Sequence, residues 1–517
     1  MNIKIQPNPG RTLSDDIVRP AGVREYHGMF GGYDRSWKEY VPSCYDGSKK
    51  VPLVVSLHGG AGHSAEIRFA WELIAERENF IVLYPQCIVE GITWNTLEEP
   101  NGPNDVAYID ELIQQTIGKY AIDETRIYMQ GQSMGDLMTS TYICRHPERI
   151  AAAAPLSGPG PASKYMNPDG SFHRYPDRPL TVIRTHGSED LGLPVSHSLK
   201  DAMKPKRPKE QRRMPVMWMN SPVRPPEPKA GDEQREKKLK LHLLLNDYIW
   251  KTRNATPDLP KISVDGRYAW FFYEGPEADY IFYSVQDGEH VLAMDMAELV
   301  WDNVFSKYSR VDGKTVRGEA ALPVRRDVGA VALADGALQA YVNNELVEIG
   351  DAVPLHAHFV NDSYYVPVSF IPKAFPGLSV RMEDNGMTAY ISGEGHELQV
   401  AVGMCVSVFD NRLSTQNRAI FIDSNLYVAI SDIAEKFYGW TMCMGRGAAY
   451  VGPKATVMSF DLAYHIRRIL GMEPPWTVQD MIAMEQEIVA GKPEMFGQNM
   501  TPDERPLDPE PEKPARP

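Results

Sequence analysis

The sequence predicts an α/β fold with a mostly parallel sheet, followed by a smaller α+β domain built on a repeat. Three observations lead there. Near-continuous apolar segments alternate with helix-like segments from Tyr26 to about Tyr308, the pattern of a parallel sheet buried on both faces. The run Gly131-Gln132-Ser133-Met134-Gly135 stands between a strand-like and a helix-like segment. Beyond Pro323, Tyr365–Ile371 aligns with Tyr427–Ile433, which points to a second, repeat-built domain.

The elements follow in chain order. Val51–Leu57 reads as a buried strand running into His58-Gly59-Gly60-Ala61-Gly62, and a helix is expected near Phe69–Glu78. Phe80–Tyr84 is the next strand. Val106, Ile109, Leu112, Ile113 and Ile117 share one face of a helix over Asp105–Tyr120. Arg126–Gln130 is the strand before the serine and Leu137–Arg145 the helix after it. Ile150–Leu156, Leu180–Thr185 and Ala278–Val285 are further strands, with a helix over Ala293–Tyr308. Between Leu191 and Asp265 the alternation breaks into a segment rich in Pro, Lys, Arg and Glu, with one helix near Glu236–Lys251. It reads as an insertion, either a solvated excursion or a lid over the substrate, and its cluster Lys204, Lys206, Arg207, Lys209, Arg212 and Arg213 could attract an acidic substrate.

Strand, sharp turn and helix form the setting in which G-x-S-x-G lifts a serine hydroxyl above the sheet. A serine needs a base to take its proton, and a histidine oriented by a carboxylate does this. In this arrangement the chain order is Ser, acid, His. The strand ending at Thr185 leads to His186-Gly187-Ser188-Glu189-Asp190, and that ending at Val285 leads to Asp287-Gly288-Glu289-His290. Both loops leave carboxyl ends of strands, the rim where open α/β sheets place their sites. Asp190 is the expected acid, with Glu189 its rival, and His290 the expected base. His58 and His186 read as structural loop residues, and His63 as a lone loop histidine. The oxyanion donors are expected at the amides of Met134 and Gly60.

The 517 residues exceed a single core. Hydrophobic residues make up 43% and charged residues 24%, an ordinary soluble composition. A net charge of −14 argues against nucleic acid or an anionic membrane as the main partner. Five scattered cysteines with no C-x-x-C pair indicate neither a disulfide framework nor a zinc site. Cys144 reads as packing. Met1–Pro7 lacks the basic-then-apolar start of a signal peptide. The expected compartment is therefore the cytoplasm, or the cell surface or exterior if a signal was removed. No membrane span, cofactor or metal is expected. His356 and His358 alternate on one strand face without a third ligand.

Together these motifs resemble the polyhydroxybutyrate depolymerase and feruloyl or acetylxylan esterase group of α/β hydrolases. The resemblance rests on Tyr40-Val41-Pro42 with Tyr45-Asp46-Gly47-Ser48, Leu57–Gly60, Trp94-Asn95, Asn104–Asp110, Arg126–Gly135, Ala153–Ser157, His186–Asp190 and Gly288 with His290, and covers roughly residues 25–310. It implies cofactor-free hydrolysis of a small-molecule or polymeric ester by Ser133, Asp190 and His290. It also implies that Trp94 and Asn95 line the acyl or alcohol side of the pocket; Gln132 is a further substrate-contact candidate. Two positions depart from the pattern. Asp136 replaces a usual second glycine after the elbow, where it could suit the helix dipole, crowd the helix–strand contact or disfavour an anionic substrate. The loop around His290 has less glycine and no aromatic after the histidine. A serine peptidase or amidase could use the same three groups, although the motifs around Trp94 and Asn104-Asp105 are of the esterase type. A non-catalytic surface protein with a vestigial hydrolase domain is the third reading, and the intact Ser, Asp and His speak against it.

The expected organisation is an N-terminal segment at 1–24, a hydrolase domain at 25–312 with its insertion at about 191–265, a second domain at 324–453 and a tail at 454–517. Each repeat unit reads as a strand, a short helix capped by Ser369 or Ser431, and a hairpin. Val324–Pro453 resembles the copper amine oxidase N-terminal-like, or stalk, domain. That resemblance implies no copper chemistry; it implies an accessory role, such as polysaccharide or cell-wall contact. Helices are expected at Ser459–Leu470 and Val478–Val489, then a disordered Thr501–Pro517.

Overall fold

The computed structural model describes residues 22–59, 68–87, 94–100, 102–158, 160, 164–167, 169–188, 190, 232–286, 288, 290, 296–318, 330–474 and 477–483. The basic cluster and lid reading of the insertion, His63, Glu189, the residue after His290 and Thr501–Pro517 lie outside the described residues.

The hydrolase part begins as a hairpin, β1 (Val23–Phe30) and β2 (Tyr33–Tyr40). Its turn is Gly31-Gly32, both at positive φ. A two-residue Gly-Gly turn is a hairpin signal. Then come β3 (Val51–Leu57), α1 (Arg68–Glu78), β4 (Ile81–Pro85), α2 (Asp105–Lys119), β5 (Ile122–Gln132), α3 (Met134–Arg145), β6 (Ala152–Leu156) and β7 (Thr181–Gly187). After the insertion follow α4 (Asp232–Arg253), β8 (Lys261–Asp265), β9 (Tyr268–Tyr273), β10 (Tyr280–Val285) and α5 (Met296–Asn303). The α5 helix is shorter than expected: Phe305–Lys307 is a 3-10 turn and Tyr308 opens a strand.

The ten strands form one sheet in the order β1-β2-β4-β3-β5-β6-β7-β10-β9-β8. The run from β4 to β10 is parallel, and antiparallel pairs flank it on both sides. This is the sheet of an α/β hydrolase. Both faces are covered, so successive strand residues enter different cores. Leu53 and Val55 pack with α2 and α3, whereas Val54 packs with Trp71 of α1 and Trp301 of α5. Helix α2 starts where its sequence says it should, because the Asn104 side chain accepts the Ala107 N–H at 3.0 Å.

The C-terminal strands form three antiparallel sheets of five, four and five strands. The repeat is visible in the pairing: Ser363–Pro367 lies antiparallel to Asn425–Ala429, and each strand leads into a helical segment and then a hairpin. The serine caps are a correction. Helix α6 (Ile430–Tyr438) has Ala429 at its N-cap, with Ser431 already inside it, and the first unit turns helical from Val368, ahead of Ser369. Ser431 Oγ instead lies 3.4 Å from Ser363 Oγ.

A helical contact joins the two parts of the chain. Helix α7 (Phe460–Ile469), capped by Ser459, which accepts the Leu462 N–H at 3.1 Å, packs on the β10-β9-β8 side of the hydrolase sheet. Leu462, Ala463, Ile466 and Ile469 belong to the same apolar cluster as Phe271 and Phe282. His465 stacks on Phe271 with ring centroids 3.9 Å apart, and Asp461 accepts the Ser284 hydroxyl at 2.8 Å. The edge strand β8 is covered as well: Ile262 N–H donates to Asn344 at 3.1 Å and Tyr341 Oη donates to the Pro260 carbonyl at 3.2 Å. Covering an edge removes an open template for pairing with other chains. No helix among the described residues is long and apolar enough to cross a membrane.

Candidate active site

The rim of the sheet assembles the site from strand ends. Gly131 is level with Leu57, Gln132 with Leu156, Leu156 with Thr185 and Gly187 with Val285. The loops after these strands therefore emerge side by side.

Ser133 is the turn between β5 and α3. Its backbone sits at φ 56°, ψ −114°, a strained conformation for a residue with a Cβ. Its N–H donates to the Leu156 carbonyl at 2.8 Å. The turn is tight enough to require glycine: a Cβ on Gly131 would lie 2.2 Å from the Gly135 carbonyl oxygen, and one on Gly135 would lie 2.3 Å from that of Leu57.

Three side chains meet here from distant parts of the chain. His290 Nε2 lies 3.0 Å from Ser133 Oγ, and His290 Nδ1 lies 2.9 Å from Asp190 Oδ2. With Nδ1–H facing the carboxylate, Nε2 is left to accept the hydroxyl proton. Asp190 is buried and its N–H donates to the Gly187 carbonyl at 2.9 Å. Burial pulls the imidazole pKa down, but the hydrogen bond and charge of Asp190, with the charge of Asp136, outweigh it. The net result for His290 is above the ordinary histidine value.

Met134 is the first residue of α3, where an amide has no intrahelical acceptor. Gly60 lies outside the described residues. Its neighbour Gly59 backs onto Ser133: a Cβ there would be 3.4 Å from Ser133 Cβ. His58 holds this loop. Its Nε2 accepts the Cys87 N–H at 3.2 Å and faces the Gln86 amide nitrogen at 3.0 Å, so Nδ1 carries the proton and donates to the Gly59 carbonyl at 2.8 Å. His186 flanks Asp190, with Nε2 3.2 Å from the Asp190 carbonyl and Nδ1 3.6 Å from its carboxylate.

Trp94 and Asn95 are both buried. The Trp94 indole donates to the His58 carbonyl at 3.0 Å. Asn95 donates from its side chain to the Pro103 and Glu99 carbonyls at 2.9 and 3.1 Å and accepts the Glu99 N–H at 2.9 Å. These bonds brace the loop behind the site. Gln132 is half-buried beside Ser133. A groove of about 870 Å³ lined by Glu98, Asp110, Glu111 and Arg145 lies between α2 and the end of α3, away from Ser133. Among the described residues, no group of three or more His, Cys, Asp or Glu is placed to hold a metal; His356 Nδ1 lies 2.9 Å from the Gly336 carbonyl, and His358 faces Tyr427.

Asp136, the departure noted in the sequence, is fully buried and paired with buried Arg184 at 2.9 Å. The sequence held no signal for that partner, because Arg184 lies in an apolar strand where a charge reads as an exception.

No protein-family model matches the chain. The chain is similar to a bifunctional acetylxylan esterase/xylanase of Neocallimastix patriciarum, 31% identical over 163 residues, covering 31% of this chain and 22% of that protein. It is also similar to acetylxylan esterase A of Talaromyces purpureogenus, 29% identical over 165 residues, covering 30% of this chain and 43% of that protein. The chain thus spans less than half the length of either relative. Among solved structures, an acetyl xylan esterase from Aspergillus awamori aligns at 18% identity and a TM-score of 0.35, covering 54% of this chain and 98% of that one.

Proposed function

We propose that this chain is a serine carboxylic-ester hydrolase acting on acetyl, feruloyl or polyester-type esters. The observation that carries the reading is the unbroken line from Ser133 Oγ through the two nitrogens of His290 to Asp190 Oδ2, at 3.0 and 2.9 Å. In this reading His290 Nε2 takes the hydroxyl proton as Ser133 attacks the ester carbonyl, and Asp190 stabilises the imidazolium that forms. The Met134 and Gly60 amides stabilise the oxyanion. The tetrahedral adduct collapses, His290 protonates the departing alcohol, and water then releases the acyl group by the same route. The names of the sequence relatives, acetylxylan esterase and feruloyl esterase, support an ester, with an acetyl group on xylan the most specific case. The C-terminal sheets would serve as the accessory part that contacts such a polymer.

The test is Ser133→Ala with 4-nitrophenyl acetate and a fluorophosphonate probe. Removing a nucleophile of this kind costs up to about 10⁶-fold in turnover. Wild-type turnover in Ser133→Ala would rule the assignment out. A panel of acetylated xylan, feruloyl esters and polyester film then separates the substrate classes.

A further inference from the structure

We propose that Asp136, paired with Arg184, is a positioning residue that ties the turn presenting Ser133 to the strand delivering Asp190. The proposal rests on the esterase reading above and concerns the same site.

Asp136 is the third residue of α3, yet its carboxylate turns away from the helix axis into a buried network. Oδ2 accepts the Gly158 N–H at 2.8 Å and pairs with Arg184 Nη1 at 2.9 Å, while Oδ1 lies 3.2 Å from Nη1 and accepts the Ser140 hydroxyl at 3.1 Å. Gly158 in turn presses on the nucleophile: a Cβ there would sit 2.2 Å from the Ser133 carbonyl oxygen. Asp136 therefore fixes the segment against which the elbow rests. Arg184 belongs to β7, the strand whose following loop carries Asp190. Its Nη2 also reaches Ser140 Oγ at 3.3 Å and Asn246 Oδ1 at 3.2 Å on α4. One guanidinium thus fastens the nucleophile helix, the acid strand and a covering helix.

A buried ion pair is weak as a stability device, since its desolvation offsets most of the attraction. Its value here is geometric. The Ser133, His290 and Asp190 contacts depend on the relative placement of α3 and β7, and a shift of about 1 Å in such a site can cost about a hundredfold in rate. The pair also acts on charge. Among the described residues, the titratable and charged groups around this pair are Asp190 and His186 from β7 and its loop, Arg184 from β7, Asp136 from α3, Asp247 from α4, Tyr280 from β10, Tyr165, Arg174, and Lys164, whose amino group donates to the Leu137 carbonyl. Burial, with neighbouring Arg174, holds the Lys164 pKa well below its ordinary value. Asp136 adds to the field that favours the charged imidazole.

The experiment compares wild type, Asp136→Asn and the double variant Asp136→Asn/Arg184→Met. Fluorophosphonate labelling rates and kcat and KM for 4-nitrophenyl acetate are read from about pH 5.5 to 8.5. In Asp136→Asn, kcat should fall at least about tenfold with KM within about twofold. The acid limb should move to lower pH, because a negative charge favouring the imidazolium has gone. In the double variant the kcat loss should persist while the acid limb moves back toward wild type. A purely structural role would leave the limb in place in both. Asp136→Asn leaves Arg184 buried without its counter-charge; if that variant does not fold, the double variant, which removes both charges, carries the test. A folded variant with wild-type kcat and an unmoved limb overturns the proposal. A wild-type chain that the probe does not label at Ser133 refutes the esterase reading itself, whereas a labelled wild type indifferent to Asp136 refutes only this inference.

Discussion

Acidification should loosen the joint between the hydrolase sheet and α7, and His465 sets the size of the effect. The ring lies against Phe271, and Nδ1 donates to the Asp461 carbonyl at 2.7 Å. Burial, helped by the positive charges of Lys251 and Arg468 and opposed by the Asp461 hydrogen bond, pushes its pKa down to about 3. The folded protein keeps this histidine neutral, while the unfolded chain takes up a proton below about pH 6.5. Stability is therefore lost as pH falls from about 6.5 towards 3, at about 1.4 kcal/mol per pH unit. At about pH 5 the loss is on the order of 2 kcal/mol. The perturbation is His465→Phe, which keeps an aromatic ring over Phe271 and removes the titration. It also removes one hydrogen bond, a pH-independent cost of about 1 kcal/mol. Buried Asp247 titrates with the opposite sign. Its pKa is raised to about 6, mainly by burial, so its contribution is lost as pH rises from about 4 to 6, but it is present in both proteins and cancels in the comparison. Urea unfolding at about pH 7.5 and 5 measures the difference. Wild type should lose about 2 kcal/mol more than the variant. Equal losses in the two proteins would refute the buried, neutral histidine.

Four further outcomes follow from the same geometry. Because the His290 pKa is raised and the proposed reaction uses its neutral form as the base, kcat/KM should fall on the acid side with a midpoint above the ordinary histidine value; a midpoint below it, read from a pH–rate profile, would contradict the Asp190 contact. Gly131→Ala should abolish activity by opening the elbow, since its Cβ would meet the Gly135 carbonyl at 2.2 Å; the measurement is turnover alongside circular dichroism to check folding. Ile466→Ala, in the shared core between α7 and the hydrolase sheet, should cost about 2–5 kcal/mol. The same interface predicts that a chain ending near residue 320 loses stability in the hydrolase part, which thermal unfolding of the shortened protein checks.

Most of the candidate site was legible because its parts are local. Gly131 and Gly135 announce a turn that only small residues can make, and Ser133 lies inside it. Asp190 and His290 each follow an apolar strand, so a parallel sheet places their loops on the rim that holds the elbow. Asn104 and Ser459 cap helices as short polar side chains do. The misreadings have physical causes as well. Ser369 and Ser431 resemble caps in sequence, but buried Val368 and Ile430 draw the helices back by a turn's start. Tyr268–Tyr273 alternates in burial as an antiparallel strand should, yet five of its six residues are aromatic, so no period of two shows in the letters.

By itself, then, the sequence determined the alternating strands and helices, the strained serine turn and the order in which Ser133, Asp190 and His290 reach the rim. Which buried charges become neighbours was decided only by the tertiary structure. Asp136 and Arg184 are ordinary letters in separate elements until α3 packs on β7. His465 becomes a proton-free histidine only when α7 closes over Phe271. Short-range periodicity and turn chemistry act through adjacent residues and are written in the chain. The desolvation and pairing of charges depend on contacts between segments far apart in it, and those exist only once the sheet and its covering helices have assembled.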